Sequence, residues 1–266
     1  MKIHVLTLNW NGNDLLKNMI PGLLQNLKQC NMEYSILIRD NGSNDDSIST
    51  IKSFKDIQLY KMNHNRDNFA KGVNFLFDCA KPSKEDIILL LNNDIQFNDD
   101  TSLNKMLKLM NKPNTAIVGS RLTYDKEKIS HDGVIFSSSK GNMPWHFREG
   151  QNIKEVDNKN RYFQAVTAAC CLIKSDAFIK AGKLDQNLHW AFEDIALNLD
   201  VSINQNKKII CCSETNITHT TSNSLKKNPV NKLFLQHNVS YFKKKWYGKY
   251  KIDHENYNNK NYNLVL

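Results

Sequence analysis

Residues 86–94 read DIILLLNND. From Ile87 to Leu91 the run is continuously apolar rather than alternating. That is the pattern of a central strand covered on both faces, as in a parallel sheet flanked by helices. The run closes on Asn92, Asn93 and Asp94, which puts two amides and a carboxylate at the C-terminal end of the strand. Open α/β sheets bind their ligands beyond that end.

The same rhythm continues on either side. KIHVLTLNW (2–10) reads as a strand, followed by Leu15, Leu16, Met19, Ile20, Leu23, Leu24 and Leu27 at helical spacing. YSILIRDNGSND (34–45) is a buried strand running into turn residues, and a short helix follows with Asp45 and Asp46 suited to its positive N-terminal end. IQLYKM (57–62) is a third strand, and residues 69–80 form a helix that Pro82 helps to end. Beyond the central run, a helix over about 101–111 precedes the strand TAIVGS (115–120). Repeated strand–helix order predicts an α/β fold with a mostly parallel central sheet.

After residue 120 the pattern loosens. Residues 121–147 read as strands and loops, and YFQAVTAACCLIK (162–174) as one long strand. DAFIKAGKLD (176–185) reads as a short helix leaving at Gly182, and another helix begins near Glu193. KIICCSE (208–214) is a strand followed by the loop TNITHTTSNS, and residues 228–250 form a final helix, amphipathic at first. No long linker or internal repeat divides the chain.

Composition narrows the function classes. The chain has 266 residues, a net charge of +9 and a hydrophobic content of 40%, and its mean hydropathy is −0.55. These values describe a globular chain, and no apolar run reaches the roughly eighteen residues of a membrane span. The start MKIHVLTLNW lacks a signal-peptide hydrophobic region, so the expected compartment is cytoplasmic. Six cysteines without metal-site spacing read as buried free thiols in a reducing environment. The positive charge is mostly scattered lysine, with one compact cluster at Lys243–Lys245.

Three strand ends carry the candidate chemistry: Asn9 and Asn11, then Asp40 and Asn41, then Asn92, Asn93 and Asp94. Taken one at a time they also suit helix caps and turns; as a set they point to one crevice. Asp94 suits a hard divalent cation, Mg²⁺ or Mn²⁺, that bridges to phosphate oxygens. The Asp40 carboxylate suits hydrogen bonds from a sugar or base. Neither a phosphate loop G-x-x-x-x-G-K-[ST] nor G-x-G-x-x-G is present. Glu193 and Asp194, at a helix start, suit either a general base or a helix N-terminal charge. His219 suits either a surface hydrogen-bonding role or the second ligand of a cation held by Asp94.

In this order the stretches resemble the family 2 glycosyltransferases with the GT-A fold, in particular the bacterial rhamnosyltransferase-like branch of surface polysaccharide assembly. The likeness runs over roughly residues 3–245. RDNGSND (39–45) matches the segment whose aspartate, here Asp40, contacts the nucleotide. NRDNFAKGVN (65–74) is similar to the Gly-Phe-Ala-x-Gly-x-Asn stretch, with Asn68 in place of the first glycine. LLNND (90–94) matches the motif ending in the metal-binding aspartate, residues 166–194 the acceptor-side stretch with its Glu-Asp pair, and THTTSNS (218–224) the metal-ligand histidine.

The resemblance implies a single GT-A catalytic domain over 1–250, with a nucleotide-sugar half (1–120), an acceptor and catalytic half (121–227), a C-terminal helix (228–250) and a polar tail (251–266). It implies a metal held by Asp94 and His219, and catalysis by Asp194 with Glu193. A nucleoside-diphosphate sugar of UDP or dTDP type would lie against Asn9, Asn11, Asp40, Asn41, Asn68, Lys71, Asn74, Asn92 and Asn93. The acceptor would be a glycan or lipid-linked glycan whose hydroxyl attacks the anomeric carbon of the donor with inversion. Three departures fall on the acceptor side: Ala169 lies near a position usually glycine, and Ala196 and Asp200 stand where the family commonly has Asp and Arg. The segment SYFKKKWYGKY (240–250) reads either as a terminal helix packed by its aromatics or as a contact to an anionic membrane. The competing classes are a nucleic-acid-binding module, which the concentration of Asp and Asn at strand ends disfavours, and a catalytically silent sugar-nucleotide-binding relative. A nucleotidyltransferase would want a glycine-rich phosphate segment that LNWNGND does not supply.

Overall fold

The structure is a computed structural model and describes residues 1–189, 191–220 and 230–258, with the backbone alone over 230–233 and at 258. Residues 221–224 of the THTTSNS stretch and 259–266 of the polar tail lie outside the described residues. The first half alternates as its periodicity predicts: β1 (Lys2–Asn9), α1 (Asn13–Gln29), β2 (Glu33–Asp40), α2 (Ser47–Lys52), β3 (Ile57–Lys61), α3 (Phe69–Ala80), β4 (Ile87–Leu91), β5 (Ile95–Phe97), α4 (Ser102–Met110) and β6 (Thr115–Ser120). The second half runs β7 (Leu122–Thr123), β8 (Ile129–His131), β9 (Val134–Ser137), β10 (Met143–His146), β11 (Arg161–Phe163), β12 (Cys170–Lys174), α5 (Ser175–Lys180), α6 (Glu193–Leu199), β13 (Lys208–Cys212), β14 (Ile217–His219), α7 (Val230–Trp246) and α8 (His254–Asn258).

An eight-stranded sheet in the order β11-β13-β6-β12-β4-β1-β2-β3 forms the centre. β1 pairs in parallel with β2 and β4, β2 with β3, and β13 with β6. β12 is antiparallel to both β4 and β6, and β11 is antiparallel to β13. The parallel expectation therefore holds for the first half, and the sheet as a whole is mixed. The reason is topological. After β6 the chain enters small sheets at the C-terminal end of the parallel strands, β5-β14-β7-β8 and β10-β9. With no crossover helix to return it, the chain re-enters the sheet from that end, so β12 must run backwards.

The alternation of side chains along β4 accounts for its unbroken apolar run. Ile87, Leu89 and Leu91 pack with Leu16, Met19 and Leu103 from α1 and α4, while Ile88 and Leu90 pack with Val73 and Phe77 from α3 and Phe178 from α5. Burying each such side chain on both layers stabilises the fold by about 1.5–3 kcal/mol. α3 is bounded by chemistry the sequence displays: the Asn68 side chain accepts the Lys71 N–H at its start, and Lys81 turns left-handed at φ 47° just before Pro82.

One sequence expectation is corrected here. The apolar stretch 162–174 is not one strand but two, β11 and β12, separated by a loop at 164–169. Its apolar residues are buried all the same, Ala165 and Val166 fully, because the loop lies between the sheet and the second-half elements. Val166 seats against Gly119 of β6, where an added Cβ would stand 2.6 Å from the Val166 Cβ. The aromatics of 240–250 also turn inward: Phe242, Trp246 and Tyr250 are buried with Val134, Phe136 and Leu199, while Tyr247 is exposed. The cysteines Cys170, Cys171, Cys211 and Cys212 are free and buried, as their apolar context predicts.

Gly119→Ala should lower the unfolding free energy by about 1–3 kcal/mol, since Val166 is a stiff side chain that cannot swing aside. Denaturant unfolding measures this; a midpoint equal to the parent's would contradict the packing described.

Candidate active site

The ends of β1, β2 and β4 meet in a side-chain network. The Asn9 amide donates to Asp40 Oδ2 at 2.9 Å, and the Asn93 amide donates to Asn9 Oδ1 at 2.8 Å. Ser43 donates twice to Asp40, from its N–H to Oδ1 at 2.9 Å and from its hydroxyl to Oδ2 at 2.6 Å. The loop after β1 joins the same system: the Asn11 N–H donates to Ser43 Oγ, and the Asn11 Oδ1 accepts the Asn44 N–H. Gly12 is required beneath it, because a Cβ there would lie 2.4 Å from Asn9 Oδ1 and 2.5 Å from Asn93 Nδ2. Asn41 is buried with its Oδ1 unpartnered. A cleft of about 590 Å³, lined by Asn11, Gly12, Asn13, Asn44, Asp45 and Asp46, opens beside these strand ends.

Asp94 follows β4 and is buried. β14 pairs antiparallel to β5 in a register that sets His219 against Ile95, and His219 Nε2 lies 3.2 Å from Asp94 Oδ1. The Asp94 carbonyl accepts both the N–H and the hydroxyl of Thr220, at 3.0 and 2.9 Å, which fixes the two segments together. Two ligands on adjacent vertices of one octahedral Mg²⁺ or Mn²⁺ stand about 3 Å apart, so this oxygen and nitrogen fit a shared divalent cation. Among the described residues no third His, Cys, Asp or Glu completes such a cluster.

Asp194 stands in the first turn of α6, after Phe192 in the left-handed conformation at φ 72°. Its Oδ1 accepts the Ile195 N–H at 2.8 Å and its Oδ2 the Ala168 N–H at 3.1 Å. The adjacent residue, Ala169, accepts the Asn92 N–H on its carbonyl at 2.9 Å. Asp194 is thereby linked through two successive residues to the strand end that carries Asp94. Its neighbour Glu193 is buried with Oε2 unpartnered. Burial, reinforced by the Asp194 charge, pushes the Glu193 carboxyl up to about 8, so it is protonated at neutral pH.

Several residues expected at the donor site do other things. Asn68 donates to the carbonyls of Gln186 at 2.8 Å and Leu188 at 3.3 Å, and lies 3.3 Å from His189 Nδ1. Asn74 exchanges hydrogen bonds with the Leu184 backbone in both directions. Their amides tie α3 to the loop that leads into α6. Lys71 is exposed and caps nothing beyond its own N–H on Asn68. Asn238 of α7, which the sequence reading missed, completes the tie: its Oδ1 accepts the His189 N–H, and its amide donates to the His189 and Ala191 carbonyls. His131 and Asn198 were likewise missed. The only local signal was the compact polar SHDG (130–133) between apolar runs.

A scan against family models matches residues 5–181 to "Glycosyl transferase family 2". The chain belongs to glycosyltransferase family 2. Over 215 residues, 79% of this chain, it is 23% identical to the O-antigen biosynthesis protein RfbC of Myxococcus xanthus, of which it spans 16%. Among solved structures it is similar to a mannosyltransferase of Pyrobaculum calidifontis in complex with GDP-Man and Mn²⁺ (TM-score 0.62, 11% identity, 91% of this chain and 63% of that one). It is also similar to GalNAc-T7 solved with UDP, GalNAc and Mn²⁺ (TM-score 0.65, 12% identity, 91% of this chain and 48% of that one). These likenesses establish the GT-A fold.

The family match ends before Glu193, Asp194 and His219, so their placement rests on the geometry above. The three family departures have local explanations. Ala169 is buried, and its N–H reaches Thr167 Oγ1 while its carbonyl holds Asn92. Ala196 packs in the apolar cluster with Val134 and Phe242. Asp200 accepts from the Asn204 and Gln205 amides, at 2.7 and 3.1 Å, and closes the turn that follows α6.

The raised Glu193 carboxyl gives a signed expectation. Between its ordinary value of 4.5 and about 8, the folded state holds a proton that the unfolded state has lost, so this group's contribution falls as pH rises through that window. Glu193→Gln should therefore gain stability relative to the parent at pH 8 compared with pH 5, in paired denaturant titrations. A difference that does not change with pH would refute the buried, neutral carboxyl.

Proposed function

We propose that the protein transfers a sugar from a nucleoside-diphosphate sugar, of UDP or dTDP type, to a hydroxyl of a glycan or lipid-linked glycan in surface polysaccharide assembly, with inversion at the anomeric carbon. The observation that carries this reading is the convergence of the Asp94–His219 pair and Asp194 on one end of the sheet, joined through Asn92, Ala169 and Ala168. Family membership supports the reaction class, and the likeness to an O-antigen biosynthesis protein supports the polysaccharide context.

The roles follow from position and chemistry. Asp40, fully buried with its carboxylate held by Asn9 and Ser43, fixes the loop that faces the nucleoside, and Asn93 and Asn11 shape the floor beside it. Asp94 and His219 would hold Mn²⁺ or Mg²⁺. Bound there, the cation supplies positive charge against the diphosphate leaving group. Asp194 takes the proton of the acceptor hydroxyl as that oxygen attacks the anomeric carbon and the bond to the diphosphate breaks. A single displacement from the opposite face inverts the centre. Glu193, neutral and buried, sits behind Asp194 without adding a second negative charge. With its large aromatics packed inward, the C-terminal segment offers Lys243, Lys244 and Lys249 with Tyr247 to an anionic membrane surface, an electrostatic contact rather than an inserted one.

Two substitutions test the assignment. Asp194→Asn should reduce transfer by about a thousandfold or more while nucleotide affinity stays near the parent's, since it removes the proton acceptor and keeps the shape. Transfer within a few-fold of the parent would sink the base. Asp94→Ala should abolish the Mn²⁺-dependent part of nucleoside-diphosphate binding in calorimetry; equal binding with and without Mn²⁺ in the parent would refute the metal site.

A further inference from the structure

The loop between β11 and β12 crosses the candidate site with a single bridge, from Ala165 to Val134 of β9, and the rest of its backbone is satisfied in an unusual way. Four consecutive N–H groups donate to side chains: Val166 to Asn198 Oδ1 at 3.2 Å, Thr167 to His131 Nε2 at 3.3 Å, Ala168 to Asp194 Oδ2 at 3.1 Å, and Ala169 to Thr167 Oγ1 at 3.4 Å. Two of these acceptors, Asn198 and Asp194, belong to α6. His131 is the one that comes from a different part of the fold. Buried backbone N–H groups must find partners, so this loop has its shape only while those side chains are in place.

His131 is held through Nε2, while its buried Nδ1 has no protein hydrogen-bond partner. It is 1% exposed, and its Nε2 also accepts the Gly133 N–H at 3.2 Å. Two donors on one nitrogen require its lone pair, which puts the proton of the neutral ring on Nδ1. Burial, with His146 and His219 nearby, keeps the ring well below the ordinary histidine range, in agreement with a neutral acceptor. The next residue, Asp132, is buried and fastened by Arg121 at 2.8 Å, Ser213 at 2.7 Å and Arg148 at 3.2 Å. Two residues on, the Val134 N–H donates to the Ala165 carbonyl at 3.0 Å. The segment 131–134 therefore runs alongside 165–167 and grips it at two points.

We propose that His131 is a positioning residue for the transfer step: its Nε2 holds the 166–169 loop so that the Ala168 N–H aims the Asp194 carboxylate at the acceptor hydroxyl. This inference rests on the reading of Asp194 as the base. It assigns to His131 no contact with donor, acceptor or metal. Removing the acceptor nitrogen frees the Thr167 N–H, lets the loop relax, and leaves Asp194 Oδ2 without its fixed donor. Displacement of a catalytic group by about 1 Å costs on the order of a hundredfold in rate, whereas the nucleotide side of the crevice, built on β1 and β2, is untouched.

The test compares His131→Met, which has similar bulk without an acceptor there, with His131→Gln, whose Oε1 can stand where Nε2 stood. Two readouts are taken on the full chain: amide hydrogen exchange at residues 166–169, and nucleoside-diphosphate release from UDP-, dTDP- and GDP-sugars with Mn²⁺. In His131→Met the Thr167 and Ala168 amides should exchange at least tenfold faster and turnover should fall at least tenfold, with donor KM within twofold of the parent. His131→Gln should return both within threefold. Should the methionine variant not fold, His131→Asn, whose acceptor falls short of Nε2, serves in its place with the same expectation. Unchanged exchange at 167–168, or a loss that the glutamine fails to restore, would overturn the proposal. Asp194→Asn, run in parallel, separates the two readings: retained turnover there removes the base assignment, while normal turnover in His131→Met beside a dead Asp194→Asn removes only the role of His131.

Discussion

The hydrogen bond from the Asn92 N–H to the Ala169 carbonyl joins two parts of the molecule that the chain order keeps apart. One side of it is the end of β4, where Asp94 meets His219. On the other, the neighbouring Ala168 N–H reaches Asp194. Everything placed around the crevice depends on these two segments being locked in register. The register comes from β12 running antiparallel to β4, with Cys170 opposite Leu91. A parallel strand at that position would have carried residues 166–169 to the far end of the sheet, away from Asp94.

That constraint explains where local sequence was informative and where it failed. Strands with one covered environment per residue, such as Ile87–Leu91 and Thr115–Ser120, declare themselves, because a continuous apolar run has few other uses. The Asp and Asn residues at their ends are legible as a set for the same reason: strand direction alone brings them together. The stretch 162–174 misleads because a buried loop needs the same apolar residues as a buried strand. What distinguishes them is the partner of each backbone N–H, and here the partners are His131, Asp194 and Asn198, distant in sequence. Asn68 and Asn74 show the same limit: their amides brace the loop at 184–189, a contact that nothing within α3 announces.

The net charge of +9 takes on a more limited meaning. Arg121, Arg148 and Arg161 pair with Asp132 and Asp157 inside the second half, so part of the basic content stabilises the irregular elements. Arg39, buried beneath the loop after β3, pairs with Asp67 and lies over the Phe75 ring. What remains outside among the described residues is Arg66, dispersed lysine and the basic end of α7. The apolar faces of that helix complete the third core cluster with β9 and α6, so the C-terminal segment supports the second half of the chain as part of its packing.

The stereochemistry and metal dependence of the reaction separate a metal-assisted single displacement from every other course. The most direct measurement is NMR of the anomeric centre of the product formed with Mn²⁺ from a panel of UDP-, dTDP- and GDP-sugars, with a chelator control. A metal bound by Asp94 and His219 and a single displacement driven by Asp194 predict a released nucleoside diphosphate, a product of opposite anomeric configuration to the donor, and no product under chelation. Retained configuration, turnover indifferent to the chelator, or release of pyrophosphate in place of a nucleoside diphosphate would contradict it.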